Sequence, residues 1–415
     1  MGRDVNHNKL YTMIVLQINM TDMFSTGNIM LNIAKKTRER GHEAYTVSKK
    51  TRMSLWQNRK DPFHTYLGTR VEHTIHRYFS WITDLQDYGS VIATYELIRK
   101  IKKIRPDLIH LHDIVGWYVN IGILFKFLRK YDKPVVWTFH DCWAFTGRCV
   151  YFDSVNCDRW KSGCGKCPQI EYMPKSWYFD LSAFNWRRRK RLFTSIKSLT
   201  IVSPSKWLKE LSDESFLSKY KSIVINNGIN LETFRPTRGE AYDELKKLNK
   251  KIILGVAGTW SKRKGLEDFI RLANRVPDDH QIVLVGISAE EIGNDKIIAY
   301  KRTTNPKELA EFYTAADVFV NPTMEENFPT VNLEALACGT PIVTYRTGGS
   351  PESVDEKTGM VVEQGNLKEM LEAILCITRK GKEHYSNSCI EKSKNYDMNA
   401  RFNDYVNLYE EILKQ

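Results

Sequence analysis

The sequence predicts an α/β protein made of two doubly wound domains that face each other across a cleft. Strand-like apolar runs alternate with amphipathic helical segments, a pattern that implies right-handed crossovers and parallel sheets. The alternation occurs as two series, separated by the stretch "SIVINNGINLETFRP" at 222–236. The length of 415 residues is more than one ordinary hydrophobic core accommodates.

The predicted strands follow one another along each half of the chain. The first half contains "MIVLQIN", "EAYTVS", "DLIHLHD", "PVVWTFHD" and "LTIVSPS", and the second contains "KIILGVAG", "QIVLVGI", "ADVFVNPT" and "TPIVTY". The stretch "GNIMLNIAKKTRERGHE" places Ile29, Ile33 and Ala34 on one helical face, and Gly41 is expected to end that helix.

We expect the domain boundary near Lys221. The predicted first domain covers residues 1–220 and contains a cysteine-rich insertion at 142–168, and the second domain covers residues 221–395. The last segment, 396–415, has the pattern of an amphipathic helix that we expect to pack back on the first domain.

Composition and charge narrow the class of protein. An apolar content of 42% and a charged content of 27% are typical of a globular protein. We find no long uncharged apolar run and no secretory signal pattern, and therefore expect a cytoplasmic protein without a membrane span. The net charge of +13, with clusters at 35–40 and 187–191, fits nucleic acid, an anionic membrane face, polyanionic small molecules or a solvated surface.

Polar residues follow several predicted strands. His112 and Asp113 follow "LIHL", and His140 and Asp141 follow "VVWTF". Ligands of open parallel sheets bind outside the carboxyl ends of the strands. These residues are therefore expected at the cleft.

The stretch "GVAGTWSKRKG" joins a strand to a helix that begins near Leu266. It places Lys262, Arg263 and Lys264 at a helix N-terminus, where their charges oppose the helix dipole. A bound anion such as a diphosphate would offset them. A plain surface turn is the alternative.

The stretch "NPTMEENFPTVNLEALACGTPIV" carries two carboxylates, Glu326 and Glu334. A short helix is predicted at 331–337, ended by Gly339. Glu326 lies in the loop before this helix and is expected to reach the cleft. Glu334 is expected to point back toward the helix start, and the alternative is that it faces solvent.

Together these motifs resemble the retaining glycosyltransferases of family 4. The E-x7-E segment preceded by "AADVFVNPT" and followed by "TGGSPE" is similar to the signature of that family. "RKGLEDFI", "VINNGINLETFRP" and "TFHDCWAFTG" resemble its phosphate-binding turn, its entry to the second domain and its cleft-histidine segment. The resemblance implies the B-type fold of two Rossmann-like domains, the first binding the acceptor and the second the nucleotide sugar.

The resemblance also implies roles for individual residues. Glu334 would accept hydrogen bonds from the ribose hydroxyls, Glu326 would bind the donor sugar near the reacting centre, and His140 would bind a sugar hydroxyl. A satisfied core histidine is the alternative for His140. The implied catalytic residues are His140, Glu326 and Lys264. The implied donor-binding residues are Gly27, Arg263, Lys264, Phe328, Thr330, Val331 and Glu334.

Three departures from the family pattern concern this donor site. Thr259 and Trp260 stand where many members have an arginine after the glycine of the phosphate-binding turn. Only Gly27 represents the glycine pair of the first domain, and "NFPT" replaces "GFGL". Arg263 or Lys264 alone would then supply the charge for the diphosphate.

Five of the eight cysteines lie in the insertion. Cys149, Cys157, Cys164 and Cys167 offer four thiolates, as a structural zinc site requires, and free thiols in a loop insertion are the alternative. The insertion resembles one found in bacterial exopolysaccharide transferases of the colanic-acid type. Next to His140, it is expected to shape the acceptor site.

The preferred hypothesis is a retaining transferase that moves a sugar from a nucleotide-diphosphate donor to a saccharide acceptor in polysaccharide biosynthesis. The basic first domain suggests a lipid-linked acceptor and docking at the inner face of the plasma membrane. No metal-binding D-x-D motif stands out, so catalysis is expected without a metal cofactor. The alternatives are a nucleotide-sugar epimerase of the same fold and a non-catalytic protein that binds nucleic acid.

Overall fold

The structure is a computed structural model that describes residues 12–51 and 61–415. In these ranges the first domain has one parallel sheet with the strand order β3-β2-β1-β4-β5-β6-β7. Its strands are β1 (Ile14–Ile18), β2 (Glu43–Lys49), β3 (His64–Leu67), β4 (Leu108–Leu111), β5 (Val135–Thr138), β6 (Leu199–Ser203) and β7 (Lys221–Val224).

The second domain has a parallel sheet with the order β10-β9-β8-β11-β12-β13 in the described residues. Its strands are β8 (Lys251–Val256), β9 (His280–Val285), β10 (Ile297–Tyr300), β11 (Val318–Asn321), β12 (Ile342–Tyr345) and β13 (Gly359–Val362). Both strand orders reverse beside a central strand, as doubly wound sheets do, and this reversal opens a crevice at the carboxyl ends of the strands.

Helices cover both sheets. In the described part of the first domain they are α1 (Phe24–Glu39), α2 (Arg70–Thr83), α3 (Val91–Ile104), α4 (Ile121–Tyr131), α5 (Ser182–Phe193) and α6 (Lys206–Glu214). The remaining helices are α7 (Glu240–Lys246), α8 (Leu266–Ala273), α9 (Ala289–Ile292), α10 (Pro306–Ala315), α11 (Thr330–Ala337), α12 (Leu367–Lys380), α13 (Glu383–Ser393) and α14 (Met398–Lys414). None of the helices in the described ranges is both long and apolar enough to cross a bilayer.

The predicted strands form the interiors of the two sheets. Strands β4, β5 and β6 are buried along their whole length, because helices cover both faces of a parallel sheet. Strand β1 lies between β2 and β4, with Ile18 opposite Val47 on one side and Leu111 on the other. The four strands that the sequence pattern missed, β3, β7, β10 and β13, are the four sheet edges.

The domain boundary lies later than predicted. Strand β7 begins at Lys221 and pairs with β6, so that Thr200 is opposite Lys221 and Ser203 is opposite Val224. The first domain therefore extends through Val224, four residues beyond the predicted boundary at 220. The edge position of β7 explains the difference, because its residues are only partly buried and lack a continuous apolar run.

Helix α14 packs on the first domain, although it follows the second domain in the chain. Phe402, Tyr405 and Tyr409 are buried in a cluster that includes Val15 of β1 and Ile33 of α1. At the edge of this contact, Arg40 forms an ion pair of 2.7 Å with Glu410. The end of the chain thus crosses back and ties the second domain to the first.

The basic cluster at 187–191 is not one solvated stripe. On α5, Arg189 is fully buried and forms an ion pair of 3.2 Å with Asp87, and Arg188 is 3.6 Å from the same carboxylate. Only Arg187, Lys190 and Arg191 of this cluster are exposed. The helical period of 3.6 residues turns the middle of this run of five cations inward, so only three of the five charges are available to solvent or to a partner.

Candidate functional site

A cleft of about 870 Å³ separates the two domains at the carboxyl ends of their strands. Loops after β1, β4 and β5 form its first wall, and loops after β8 and β11 form the second. Of the residues predicted for the site, the cleft is lined by His140, Arg263, Lys264, Glu326, Phe328, Thr330 and Val331. The strand ends thus bring together residues that are far apart in sequence.

The turn before α8 presents its cations to the cleft. Residues Lys262–Lys264 form one 3-10 turn, and Gly265 has φ +76°, a conformation that favours glycine. A Cβ at Gly265 would lie 2.3 Å from the carbonyl oxygen of Pro322, so the turn sits directly against the end of β11. Arg263 Nη1 donates a hydrogen bond of 3.1 Å to the carbonyl of Glu325, which anchors this turn to the Glu326 loop.

Glu326 and Lys264 form an ion pair inside the cleft. The Lys264 Nζ atom is 2.6 Å from Glu326 Oε2, and the amide of Asn327 donates 3.1 Å to Oε1. Burial favours the neutral acid, but the charge and hydrogen bond of Lys264, together with Arg263, hold the pKa of Glu326 below its ordinary value. Glu326 is therefore an anion at neutral pH.

Glu334 lies one turn into α11, beyond the cleft-lining Thr330 and Val331. The hydroxyl of Tyr313 donates 3.0 Å to Glu334 Oε2. Burial raises the pKa of Glu334 to about 7, and the Tyr313 hydrogen bond opposes that rise. A partly buried, hydrogen-bonded carboxylate does not fit the alternative that Glu334 faces solvent.

His140 belongs to a chain of hydrogen bonds in the first domain. Its Nε2 atom is 3.2 Å from His112 Nδ1, and His112 Nε2 is 3.0 Å from the Gln17 amide. The Gln17 amide satisfies its partners when its nitrogen donates to His112 and to Met30 and its oxygen accepts from Ala34. This orientation places the His112 proton on Nδ1, so His140 accepts at Nε2 and carries its own proton on Nδ1.

Burial lowers the pKa of His140 to about 4, so its ring is neutral at physiological pH. His140 is also partly exposed in the cleft, rather than enclosed in the core. Its Nδ1–H is thus the ring donor left for a ligand in the cleft.

The first wall contains two acids that were expected at the cleft and aromatic residues that no motif singled out. Asp113 and Asp141 line the cleft, and burial together with the Asp141 charge raises the pKa of Asp113 well above its ordinary value. Trp117, Tyr151 and Tyr172 line the same wall. Position after β4 and β5 was the sequence signal for the two acids, whereas nothing in sequence marked the aromatic residues.

Gly27 is not a lining residue of the cleft, which reaches its neighbours Ser25 and Thr26. A Cβ at Gly27 would lie 2.5 Å from the backbone carbon of Asp22. In the described structure Gly27 therefore allows α1 to approach the turn that follows β1, and direct contact with a donor stays a prediction.

The cysteine-rich insertion lies at the rim of the cleft. Cys149, Cys157, Cys164 and Cys167 line one small cavity. The amide of Gly147 donates 3.1 Å to Cys164 Sγ, and a hydrogen bond from Cys149 lowers the pKa of Cys167 to about 7. Across the described ranges, no group of three or more His, Cys, Asp or Glu is arranged to hold a metal ion. Structural zinc at these cysteines stays a prediction.

The segment around the insertion also contacts the second domain. Ser154 Oγ donates 2.7 Å to Glu325 Oε1, and the Tyr172 hydroxyl donates 2.9 Å to Glu325 Oε2. Glu325 is only 2% exposed. Two residues further along the same loop, Asn327 Nδ2 donates 3.2 Å to the carbonyl of His140. These hydrogen bonds tie the loop that carries Glu326 to the first domain.

Two family models match the chain, one for each domain. The model described as Glycosyltransferase Family 4 matches residues 26–233, and the model described as Glycosyl transferases group 1 matches residues 238–396. The first match covers the first sheet from β2 onward, and the second match covers the whole second sheet. Strand β1 and the cleft-lining Met20 and Ser25 precede the matched residues.

Among proteins of known sequence, the chain is similar to WcaC of Escherichia coli (strain K12), which is named for a glycosyl transferase role in colanic acid biosynthesis. They are 23% identical over 339 residues, or 76% of this chain and 80% of WcaC. The chain is 28% identical over 200 residues to a D-inositol 3-phosphate glycosyltransferase of Corynebacterium jeikeium, and this match covers 42% of this chain and 48% of that relative.

Solved structures with the same fold cover almost the whole chain. Sucrose-phosphate synthase from Thermosynechococcus elongatus superimposes with a TM-score of 0.70 at 16% identity, over 97% of this chain and 99% of that structure. Anabaena HepE in complex with UDP and glucose superimposes with a TM-score of 0.67 at 16% identity, over 96% and 100%. The arrangement of two Rossmann-like domains is the glycosyltransferase B-type fold.

Proposed function

The chain belongs to glycosyltransferase family 4, and we propose that it moves a sugar from a nucleotide-diphosphate donor to a saccharide hydroxyl with retained anomeric configuration. One observation carries the proposal: the turn before α8, the Lys264–Glu326 ion pair and the start of α11 meet at one wall of the cleft. Cations and a helix N-terminus stabilise an anion, and the adjacent carboxylate binds hydroxyls.

The donor fits along this wall. The diphosphate lies at the start of α11, next to Arg263 and Lys264, and the ribose hydroxyls donate to Glu334. Glu326 then faces the sugar, and the Nδ1–H of His140 reaches a sugar hydroxyl from the opposite wall. In support, the solved HepE structure of the same fold is described in complex with UDP and glucose.

The acceptor fits the first wall. Tyr151, Tyr172 and Trp117 offer aromatic rings for the apolar faces of sugars, and Asp113 and Asp141 offer oxygens for their hydroxyls. The similarity to WcaC supports a role in the biosynthesis of an exopolysaccharide of the colanic-acid type. We infer that the acceptor is a lipid-linked saccharide and that the reaction takes place in the cytoplasm, where free thiols such as those of the eight cysteines persist.

In the proposed step, the bond between the anomeric carbon and the diphosphate oxygen breaks. The acceptor oxygen forms a bond to the same face of that carbon, and its proton passes to the departing diphosphate oxygen. Lys264 and Arg263 stabilise the charge that develops on the diphosphate. Glu326 and His140 hold the donor sugar in the orientation that exposes this face to the acceptor.

Membership of a glycosyltransferase family argues against both alternatives left open by the sequence. An epimerase requires acid and base groups around the sugar ring. The neutral His140 and the ion-paired Glu326 hold sugar hydroxyls in the transferase arrangement instead. Binding of nucleic acid would not explain the Lys264–Glu326 ion pair in the cleft or the partly buried Glu334.

The test is a screen of nucleotide sugars for stabilisation of the protein and for slow hydrolysis of the donor. We expect one donor to raise the melting temperature and to be hydrolysed, and Glu334→Ala to abolish its binding. Transfer to a saccharide acceptor, followed by NMR, should give the donor's anomeric configuration in the product. An inverted product would overturn the retaining assignment, and failure to bind any nucleotide sugar would overturn the proposed function.

A further inference from the structure

Helix α2 has its polar and apolar sides reversed. It buries His73, His76 and Ser80, whereas Val71 and Ile75 are 67% and 63% exposed. His76 is satisfied inside the protein by the Ser90 hydroxyl and the Gln86 carbonyl, both at 2.9 Å. Leaving apolar surface in water costs about 25 cal/mol per Å². The outer side of α2 is therefore a candidate surface for binding an apolar partner.

The exposed apolar side chains continue beyond α2. Thirteen of the seventeen large apolar residues exposed in the described ranges lie in three segments and at Phe184. We call these thirteen the apolar face: Val71, Ile75, Tyr78, Phe79, Ile82, Val91, Ile92, Tyr95, Met173, Trp177, Tyr178, Phe179 and Phe184. So strong a concentration marks an interaction surface rather than scattered exposure.

Direct contacts join these segments into one surface. The rings of Trp81 and Trp177 lie 5.5 Å apart, and Tyr78 lies 6.2 Å from Trp177. Glu72 of α2 accepts a hydrogen bond of 2.9 Å from the amide of Ile92, which holds the start of α3 beside α2.

A basic pocket of about 260 Å³ opens beside the apolar face. It is lined by Lys49, Lys50, Thr51, Arg70, His73, Thr74, Arg77 and Trp117. Burial and the neighbouring Arg77 charge lower the pKa of Lys49, although Asp113 opposes them. Within the described residues Arg77 Nε is buried without a hydrogen-bond partner. An anion in the pocket would stabilise both cations.

We propose that the apolar face and the basic pocket form one docking site for an anionic phospholipid membrane. The aromatic and aliphatic side chains enter the interface between headgroups and acyl chains, and the pocket holds a lipid phosphate or diphosphate. This assignment deepens the proposed function and rests on its lipid-linked acceptor.

Charge and ring chemistry favour a membrane over a protein partner. Lys175 Nζ lies 4.4 Å from the Trp81 ring, and the Arg77 guanidinium lies 5.1 Å from it. Tryptophan, tyrosine and basic residues together are typical of the membrane interface. Trp117 lines both the basic pocket and the cleft. A saccharide whose lipid phosphate lies in the pocket therefore extends into the cleft along the first wall, where the acceptor is proposed to bind.

The experiment is cosedimentation of the full chain with vesicles of phosphatidylcholine alone or mixed with phosphatidylglycerol. We expect binding to the mixed vesicles that weakens with salt. Ile75→Gln combined with Ile82→Gln should lower it about tenfold, and Lys50→Gln combined with Arg70→Gln should lower it similarly and reduce its salt dependence. Matched controls are Met360→Gln and the pair Lys368→Gln with Lys380→Gln, all exposed in the second domain.

Either of two outcomes, or the absence of vesicle binding by the wild type, would overturn the docking site. In the first, the surface variants bind the mixed vesicles as wild type does, even if inorganic diphosphate binds the pocket. In the second, the wild type is a dimer in solution that the Ile75 and Ile82 variants convert to monomers. Donor hydrolysis, measured without vesicles, separates the two proposals. If hydrolysis persists while vesicle binding is absent, docking alone fails, and if no nucleotide sugar binds, the proposed function fails.

Discussion

The ammonium group of Lys264 lies 2.6 Å from Oε2 of Glu326, and this ion pair joins the turn before α8 to the loop before α11. Each residue holds the other in place while the cleft is without donor. In the proposed donor complex, the diphosphate would compete for Lys264 and the sugar hydroxyls would compete for Glu326. Replacement of Glu326 and replacement of Lys264 should therefore have different effects on the reaction rate and on nucleotide affinity.

Glu326→Gln should lower kcat about a hundredfold or more, because the carboxylate is proposed to bind the donor sugar. The affinity for a nucleoside diphosphate, which carries no sugar beyond the ribose, should stay within about threefold of the wild-type value. Lys264→Met should instead weaken nucleoside diphosphate binding about tenfold or more, because the variant lacks one of the positive charges proposed to contact the diphosphate. Calorimetry and steady-state rates measure both. Lys251→Met, which removes a lysine paired with Asp317 at 3.5 Å, is the control. Equal loss of affinity in both cleft variants would contradict these roles.

Nucleotide binding should strengthen as the pH rises through about 7, since the pKa of Glu334 lies at about 7 and only its ionised form accepts both ribose hydrogen bonds. Glu334→Gln should bind more weakly and show no such rise. Calorimetry between pH 6 and 8, in buffers of different ionisation enthalpy, should detect a proton released on binding by the wild type alone. A variant that keeps the wild-type pH dependence would exclude Glu334 as its source.

The neutral His140 should make the protein sensitive to acid. Because burial lowers its pKa from 6.5 to about 4, the unfolded chain binds more protons between these values, and stability falls as the pH drops from about 6.5 to 4. His140→Gln should remove about 1–2 kcal/mol of the stability difference between pH 7 and pH 5. Thermal unfolding at the two pH values measures it. An unchanged difference would mean that His140 has the same pKa in the folded and the unfolded protein.

The hydrogen bonds from Ser154 and Tyr172 to Glu325 should hold the two domains together. Ser154→Ala combined with Tyr172→Phe removes both donors to a buried carboxylate, so the radius of gyration in solution should increase and KM for the donor should rise about three- to tenfold. Small-angle scattering and kinetics provide the measurements. Tyr300→Phe removes a similar hydroxyl bond of 2.9 Å to Glu244, within the second domain, and should change neither quantity.

Catalysis should continue when a chelator removes free divalent cations, because Lys264 and Arg263 supply the positive charge at the diphosphate. If the four insertion cysteines hold zinc, metal analysis should find about one zinc per chain, and Cys164→Ser should lose both the metal and thermal stability. Cys376→Ser, on α12, is the matched control. Immediate loss of transfer in chelator, restored by magnesium, would contradict the metal-independent reaction.

The interior of each sheet was predictable because β4, β5, β8 and β11 are buried on both faces and therefore consist of nearly continuous apolar residues. The four edge strands were missed because one side of each lies open, so no such run is required. Because strand β7 was missed, the domain boundary was predicted before Lys221, whereas the first sheet extends through Val224.

The positions of the site residues were predictable where a short sequence motif fixes them relative to a helix start. The E-x7-E spacing placed Glu326 before α11 and Glu334 one turn inside it, and the "KRKG" turn placed Lys264 before α8. The partners of these residues were not predictable. Tyr313, which donates to Glu334, and Tyr172, which donates to Glu325, are 21 and 153 residues away in the chain.

By itself, the sequence determined the two doubly wound domains, the family and the segments that line the second wall of the cleft, because strand burial and turn geometry depend on neighbouring residues. Only the tertiary structure decided the ion pair of Lys264, the tautomer of His140, the burial of Arg188 and Arg189 and the reversed face of α2. These features depend on which distant groups share a desolvated space, since charge state and exposure are set by all the surrounding groups and not by the local chain.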